Sequence, residues 1–301
     1  MPFDLNRFRG CLLGLAVGDA VGTSVEFQRR GSFPLVTDMV GGGPFRLKAG
    51  QWTDDTSMAL CLATSLISKN GFDPIDQMNR YLDWYENGYL SSTGRCFDIG
   101  NTVREALEEY ERTGDPFCGA TDAYSAGNGS LMRLAPVTLF YFPDLESIIH
   151  FAGESSRTTH GTLECLEACR LFAEMLFRAL SGMDKDDILF MTTGKIMSPK
   201  IAEIVSGVYR QKSIERIKGS GYVVESLEAA LWCFYQTNSF NAAILQAVNL
   251  GDDADTTAAI CGQIAGAYYG ESGILTHWLE KLFMRAEITE LADKLSRIEN
   301  E

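Results

Sequence analysis

The chain has 301 residues, of which 46% are hydrophobic, and its 40 Asp and Glu against 26 Lys and Arg give a formal net charge of -14. This length and apolar content are enough to bury a sizeable core, as expected of a globular protein. The acidic balance argues against a nucleic-acid partner, because proteins that bind a phosphate backbone neutralise it with clustered Lys and Arg.

The cysteines and the N-terminus indicate where the protein is found. Eight cysteines are scattered through mostly apolar segments without a CxxC pair, as in a reducing compartment. The N-terminus lacks a basic start followed by the apolar run of a signal peptide. The apolar run from Cys11 to Val17 has only seven residues, too few to cross a membrane. We expect a cytoplasmic protein with no membrane span.

Apolar residues recur at helical spacing along almost the whole chain, with Gly, Asn and Pro between the periodic segments. This pattern predicts an all-α fold. Because no Pro/Ser-rich linker divides the segments, we expect one compact domain over residues 1–301. The predicted helices are 5–21, 54–69, 74–88, 99–112, 129–141, 144–154, 161–181, 197–207, 222–236, 239–249, 256–269 and 279–296.

Two of these helices carry a small residue at every fourth position. Glycine costs about 1 kcal/mol relative to alanine in a helix, so such repetition needs a compensating reason, of which close backbone approach is the simplest. We predict that the two helices pack against each other or against a shared neighbour. The small residues are Gly10, Gly14, Gly18 and Gly22 in the first helix, and Ala258, Gly262, Gly266 and Gly270 near the end.

Two acidic clusters, Thr53 to Thr56 and Asp252 to Thr256, are far apart in the chain and each stands at a predicted helix start. One interpretation is helix capping, since Thr or Asp at an N-cap and acids in the first turn suit the helix dipole. The other is an oxygen-lined site for Mg²⁺ or Mn²⁺, with two ions offsetting the repulsion between carboxylates. Both interpretations stay open at this point.

Further polar residues have equally simple structural explanations. Residues 125–130 precede a helix start, so they form either an anion-binding turn or a plain capped turn. Asp98 is most simply an N-cap, and His160 a hydrogen-bonded histidine at a helix entry. Arg133 is either a phosphate partner or a member of a buried ion pair.

Taken together and in order, these segments closely resemble the ADP-ribosylglycohydrolases, and within them the dinitrogenase reductase-activating glycohydrolase type. The resemblance covers nearly the whole chain. Its motifs are Gly14 to Gly22, Val25 to Phe27, Gly41 to Gly43, Arg46 to Lys48, Gly50 to Thr56, Asp98 to Thr102, Ala126 to Gly129, Met132 with Arg133, Thr159 with His160, and Gly251 to Thr256.

The resemblance implies a compact all-α domain that holds two Mg²⁺ or Mn²⁺ ions between the acidic clusters. Asp252 is not among the implied metal ligands. Glu26 is implied to be a mobile acidic gate, and the catalytic base is implied to be Asp54, Asp55 or Asp98. The implied metal ligands are Thr53, Asp54, Asp55, Asp253, Asp255 and Thr256. The implied substrate-binding residues are Asn101, Ser125, Gly127, Asn128, His160 and Tyr222.

The activity implied by the resemblance is hydrolysis of the bond between C1″ of ADP-ribose and a side chain of an ADP-ribosylated protein, which releases ADP-ribose. The details around Arg46, Asp98 and Gly251 favour arginine as that side chain. A serine-type O-linked substrate, a protein that binds ADP-ribose without cleaving it, and a purely structural member of the family remain alternatives. We expect a monomer.

Overall fold

The computed structural model describes residues 4–190 and 197–296. Within those ranges β-structure is limited to isolated bridges, and the predicted all-α fold is confirmed. The helices described are α1 Leu5–Gly22, α2 Asp54–Lys69, α3 Pro74–Asn87, α4 Asn101–Thr113, α5 Ala135–Tyr141, α6 Leu145–Arg157, α7 Leu163–Leu180, α8 Lys185–Leu189, α9 Pro199–Val205, α10 Val223–Gln236, α11 Phe240–Val248, α12 Ala254–Tyr269, α13 Thr276–Lys281 and α14 Arg285–Leu295.

Helices α1 and α12 lie side by side at the centre of the fold, as their small residues predict. A Cβ atom added to Gly14 would lie 2.2 Å from the carbonyl oxygen of Gly262, and one added to Gly266 would lie 1.9 Å from that of Gly10. No real side chain tolerates such distances, so the close approach itself explains the glycines. At the far end, a Cβ on Gly22 would lie 2.4 Å from Cα of Asp255. The packing therefore places the start of α12, with its acidic cluster, beside the end of α1.

The apolar character of the N-terminal segment extends further than the run from Cys11 to Val17. Leu5–Val25 has the length, 21 residues, and the mean hydropathy, 1.2, of a helix able to cross a membrane. In this fold 89% of its most apolar window is buried inside the protein. The segment thus serves as the core helix against which α12 packs.

The helix predicted over residues 129–141 begins only at Ala135, preceded by a broken turn. Pro136 lies in the first turn of α5, and proline lacks the N–H that would continue a helix from residues 129–134. The side chain of Gln263 on α12 bonds the freed groups: Oε1 accepts from the N–H of Ala135 at 2.8 Å, and Nε2 donates to the carbonyl of Met132 at 2.8 Å. This turn is therefore attached to the central helix.

The helix predicted over 279–296 is two helices, because Met284 between α13 and α14 adopts a left-handed conformation with φ 54°. Its neighbour Phe283 is bound by the loop that precedes α2, where its N–H donates to the carbonyl of Gly50 at 3.0 Å. The indole of Trp52 donates to the carbonyl of Phe283 at 3.2 Å. The sequence did not predict the short helix α8, which Asp184 caps.

Candidate active site

The packing of α1 on α12 brings the two acidic clusters into contact. The hydroxyl oxygen of Thr53 lies 3.0 Å from Oδ2 of Asp55 and 3.4 Å from Oδ2 of Asp255. The hydroxyl of Thr256 lies 3.5 Å from the same oxygen of Asp55. Four of the predicted ligands, two from each cluster, therefore form one buried group.

Asp19, from the last turn of α1, holds the first cluster in place. One of its oxygens accepts from the N–H and the hydroxyl of Thr53 at 2.8 and 2.9 Å, and the other accepts from the same groups of Thr56 at 3.0 and 2.6 Å. Thr53 makes no side-chain capping bond of its own. Thr53 is the N-cap residue of α2 by position, but the side chain that accepts from the N–H groups at this helix start is an acid from another helix.

Glu26 has the corresponding place at the start of α12. Its Oε2 accepts from the N–H groups of Ala254 and Asp255 at 2.7 and 3.2 Å, whereas Asp253 makes no side-chain capping bond. Oδ2 of Asp253 instead accepts from the amide of Asn128 at 2.7 Å. Glu26 thus binds the helix terminus in this conformation, and Asn128 orients a carboxylate of the second cluster.

The carboxylates fit a divalent cation. Oxygens of Asp19, Asp55 and Asp255 lie within 4.8 Å of one another, as do oxygens of Glu26, Asp253 and Asp255. Each oxygen of Asp19 already accepts two hydrogen bonds, so we assign this residue to positioning. Oδ1 of Asp55, by contrast, is buried without a hydrogen-bond partner among the described residues. A buried anionic oxygen left in this way calls for a cation, and an all-oxygen set suits Mg²⁺ or Mn²⁺.

The raised pKa values of the carboxyl groups in this site show the same need for positive charge. Burial, opposed in part by hydrogen bonds from Asp255 and Ala254, raises the pKa of Glu26 to about 7. Burial, then the charge of Glu26, raises the pKa of Asp98 to about 8. Burial and neighbouring carboxylates raise the pKa of Asp55 and of Asp255 well above the usual range. Cations would supply the charge that protons otherwise provide.

A cavity of about 790 Å³ opens beside this group, a size that suits a nucleotide-like ligand. Thr53 and Asp55 are buried outside its lining, in contact with the other cluster. The predicted site residues that line it are Glu26, Asp54, Asp98, Asn101, Gly127, Asn128, His160, Asp253, Asp255 and Thr256.

The structure does not place Ser125 or Tyr222 on the cavity lining. The hydroxyl of Ser125 donates to Asp122 at 2.6 Å, within its own turn. The hydroxyl of Tyr222 donates to Glu164 and accepts from Lys200 at 2.7 Å. The backbone of Tyr222 nevertheless pairs with Gly127 in an isolated bridge, so this segment supports one wall of the cavity.

Asp98 is not the N-cap of α4. That helix begins at Asn101 with Gly100 before it, and Asp98 has a left-handed backbone with φ 61°. Phe27 and Asp252, which also belong to the lining, have φ values of 62° and 60°. Non-glycine residues in this region carry strain of about 1 kcal/mol or more, which typically persists at functional sites.

Arg133 has neither of the roles that the sequence left open. Its side chain is fully buried, lies outside the cavity lining, and has only neutral partners among the described residues. Its Nη2 donates to the hydroxyl of Thr159 at 2.8 Å, and that hydroxyl lies 2.8 Å from Nδ1 of His160. Burial, then the charge of Arg133, lowers the pKa of His160 to about 3, so the imidazole is neutral.

Some cavity residues were missed from the sequence, among them Ser220 and Gly221. They are small or apolar residues of loops, which carry no chemical signal of their own. Asp19 did carry one: it is the only charged residue between Arg9 and Glu26, in an otherwise apolar helix. Buried charges need partners, so this aspartate could have been assigned to a polar site.

Comparison with known proteins agrees with this architecture. The model of the family described as ADP-ribosylglycohydrolase matches residues 2–301. The chain belongs to the ADP-ribosylglycohydrolase family. The resemblance stated from the motifs is thereby confirmed.

Named relatives of this ADP-ribosylglycohydrolase include "ADP-ribosylarginine hydrolase Tri1" of Pseudomonas putida (strain GB-1), 48% identical over 97% of this chain and 78% of that protein. The "ADP-ribosyl-[dinitrogen reductase] glycohydrolase" of Rhodospirillum rubrum is 34% identical over 94% of this chain and 92% of that protein. A solved structure described as "ADP-ribosylglycohydrolase-related protein complex" has a TM-score of 0.88 at 45% identity and 98% coverage of both chains.

Proposed function

We propose that this ADP-ribosylglycohydrolase removes ADP-ribose from ADP-ribosylated arginine on a protein. The observation that carries the proposal is a buried carboxylate centre, with an unpartnered oxygen on Asp55, beside a cavity that suits a nucleotide-like ligand. The names of the relatives from Pseudomonas putida and Rhodospirillum rubrum support arginine as the modified residue.

We propose two Mg²⁺ or Mn²⁺ ions as cofactors. Thr53, Asp54 and Asp55 would hold them from one side, and Asp253, Asp255 and Thr256 from the other. When bound, such ions stabilise developing negative charge and lower the pKa of a bound water. Asp19 and Glu26 keep the two helix starts together, so that these side chains already face one another.

The proton transfers fall to carboxylates at the cavity wall. In the net reaction water adds its oxygen to C1″ of the ribose, and the bond from C1″ to the arginine nitrogen breaks. One carboxylate must take a proton from the water, and a carboxyl group must return one to the leaving nitrogen. Burial, then the charge of Asp98, raises the pKa of Asp54, and both residues line the cavity, so we assign the proton transfers to these two carboxylates.

Release of ADP-ribose from matched peptides tests this function. The protein is incubated with Mg²⁺ or Mn²⁺ and with one peptide ADP-ribosylated on arginine or on serine, and free ADP-ribose is measured. We expect release from the arginine peptide and none from metal-free protein. Release from the serine peptide alone would instead establish the O-linked activity. Binding of ADP-ribose without its release from either peptide would establish a non-catalytic role.

We also propose that the protein acts in the cytoplasm, as a monomer. All eight cysteines are free and six of them are buried, which suits a reducing compartment. Mass measurement in solution by light scattering tests the oligomeric state.

A further inference from the structure

The buried guanidinium of Arg133 needs an explanation, because a charge without a paired anion is expensive to bury. Its cationic group lies 4.6 Å from the centre of the Tyr81 ring, and its Nη2 is within 2.8 Å of Thr159 Oγ1 and 3.3 Å of Thr158 Oγ1. These partners are all neutral. The side chain is directed at the residue next to His160, which lines the cavity.

The hydrogen bonds of Thr159 determine which nitrogen of His160 carries the proton. Arginine only donates, so Thr159 Oγ1 is the acceptor of the bond from Arg133. The hydroxyl hydrogen of Thr159 then has one acceptor within reach among the described residues, Nδ1 of His160 at 2.8 Å. If Nδ1 were protonated instead, this buried hydroxyl hydrogen would be left without a partner, at a cost of about 1–3 kcal/mol. The proton of the neutral ring therefore lies on Nε2.

The Nε2 edge of the ring lies beside two glycines of the cavity lining. These glycines leave room for the ring: a Cβ on Gly129 would lie 2.8 Å from Cε1 of His160, and one on Gly127 would lie 3.3 Å from Nε2. The backbone of His160 is fixed as well, since its N–H donates to the carbonyl of Ser156 at 2.7 Å and its carbonyl accepts from the hydroxyl of Ser156 at 2.9 Å.

We propose that Arg133 and Thr159 are positioning residues that fix His160, which the resemblance already implies to be a substrate-binding residue, as the Nε2–H tautomer, so that this N–H donates to an acceptor oxygen of ADP-ribose. This inference rests on the proposed function, which supplies the ligand. The buried cation polarises the imidazole through Thr159, which strengthens donation to such an oxygen. A donor-only contact of this kind pairs with an acceptor oxygen and rejects a ligand group that must itself donate.

Nitrogen NMR of ¹⁵N-histidine-labelled protein tests the tautomer without any ligand. The chain has only three histidines, at positions 150, 160 and 277, so single substitutions at His150 and His277 assign the signal of His160. We expect a protonated Nε2 and an unprotonated Nδ1 in the wild-type protein at neutral pH. Thr159→Val should remove this preference, while Thr159→Ser should keep it. A wild-type ring protonated on Nδ1 would overturn the proposal.

Calorimetric titration with ADP-ribose then tests the consequence for binding. We expect Thr159→Val to weaken affinity about tenfold and Thr159→Ser to remain near wild type. Thr158→Val is the matched control, because Thr158 also contacts Arg133 but does not contact His160, and it should leave tautomer and affinity unchanged.

Equal affinities of the Thr159→Val and wild-type proteins would overturn the proposed contact. Failure of the proposed function looks different. A protein that binds ADP-ribose in this manner but releases none from the arginine peptide would refute the activity and leave the tautomer assignment standing.

Discussion

The starts of α2 and α12 have the same design but differ in one respect. Each carries an acidic cluster, and each is capped by an acid from the N-terminal segment, Asp19 for α2 and Glu26 for α12. Asp19 uses both oxygens for four hydrogen bonds. Glu26 uses only Oε2 for its bonds to the helix, and it also lines the cavity.

This difference separates two roles that the sequence had presented as alternatives for the same residues. Asp19 and Glu26 accept from the N–H groups of Thr53, Thr56, Ala254 and Asp255, so Oδ1 of Asp55 stays available for another partner, whereas Asp255 uses Oδ1 to accept from the N–H of Thr256. Asp19, with both oxygens in hydrogen bonds, is purely a positioning group. Glu26, which bonds the helix through Oε2 alone, can also take part in the chemistry of the site. Substitutions that affect one role and spare the other test this division.

The largest expected effect is on activity, from Asp55→Asn. Replacing one oxygen with an amide nitrogen removes a proposed metal ligand, so release of ADP-ribose should fall about 10²–10³-fold. The fold should keep its stability, because the change also removes a buried, repelled charge. If Asp55 only assisted helix formation, activity would persist and stability would fall by about 0.5–2 kcal/mol.

Asp252→Asn is the matched control within the second cluster. Asp252 is exposed and left-handed, a conformation that asparagine tolerates well, and it lies outside the proposed ligand set. The activity of the Asp252→Asn variant should stay within a few-fold of that of the wild-type protein. A loss of activity as large as that of Asp55→Asn would mean that the proposed set of metal ligands is wrong.

The largest effect on stability is expected from Asp19→Asn. The amide nitrogen cannot accept, so the N–H and hydroxyl of one threonine lose their partner in a buried site. We expect the free energy of unfolding in urea to fall by about 2–3 kcal/mol. Asp4→Asn, at the ordinary cap of α1, should cost only a few tenths of a kcal/mol. Similar losses in both variants would contradict the special role of Asp19.

The pH dependence of stability should differ between metal-free and metal-loaded protein. The folded-state pKa values of Glu26, about 7, and Asp98, about 8, lie above their ordinary values of 4.5 and 3.8. The folded state therefore binds more protons than the unfolded state between about pH 4.5 and pH 8, and stability should fall as pH rises through that window.

Thermal unfolding across that range, in EDTA and in Mg²⁺, checks this expectation. Cations should take the place of the protons and flatten or reverse the slope. If the melting temperature of the metal-free protein stays constant or rises between about pH 4.5 and pH 8, these carboxylates are not held together in the folded protein.

The smallest expected effect is on stability, from Glu26→Gln. The amide oxygen of glutamine can still accept from the N–H groups of Ala254 and Asp255, so only the interaction of a charge with the helix terminus is lost. We expect about 0.3–1 kcal/mol in the free energy of unfolding, well below the cost of Asp19→Asn. An equal or larger loss would remove the distinction between the two caps.

The sequence predicted the parts of the fold that depend on local pattern. Helical periodicity predicted most of the helices, and the spacing of Gly14 and Gly262 with their neighbours predicted the central packing, because close backbone approach leaves a repeat in the sequence. Residue type predicted the chemistry of the clusters, since carboxylates and hydroxyls are hard ligands whatever their surroundings.

What the sequence could not predict depends on contacts between distant segments. The broken turn before α5 is bonded by Gln263, more than a hundred residues away, and the break at Met284 accompanies binding of Phe283 by the loop before α2. The acids that cap both clusters also come from a distant part of the chain, the N-terminal segment. Only Asp19, the lone charged residue in the apolar segment between Arg9 and Glu26, signalled that such a partner was needed.

Titration of Mn²⁺ into metal-free protein, followed by calorimetry, tests the central claim most directly. Two ions per chain should bind to the wild-type protein, whereas Asp55→Asn and Asp255→Asn should each weaken or abolish binding while remaining folded. Because the two residues belong to clusters far apart in the sequence, loss in both variants would identify one shared site. Wild-type binding in either variant, or no binding by the wild-type protein, would contradict the account.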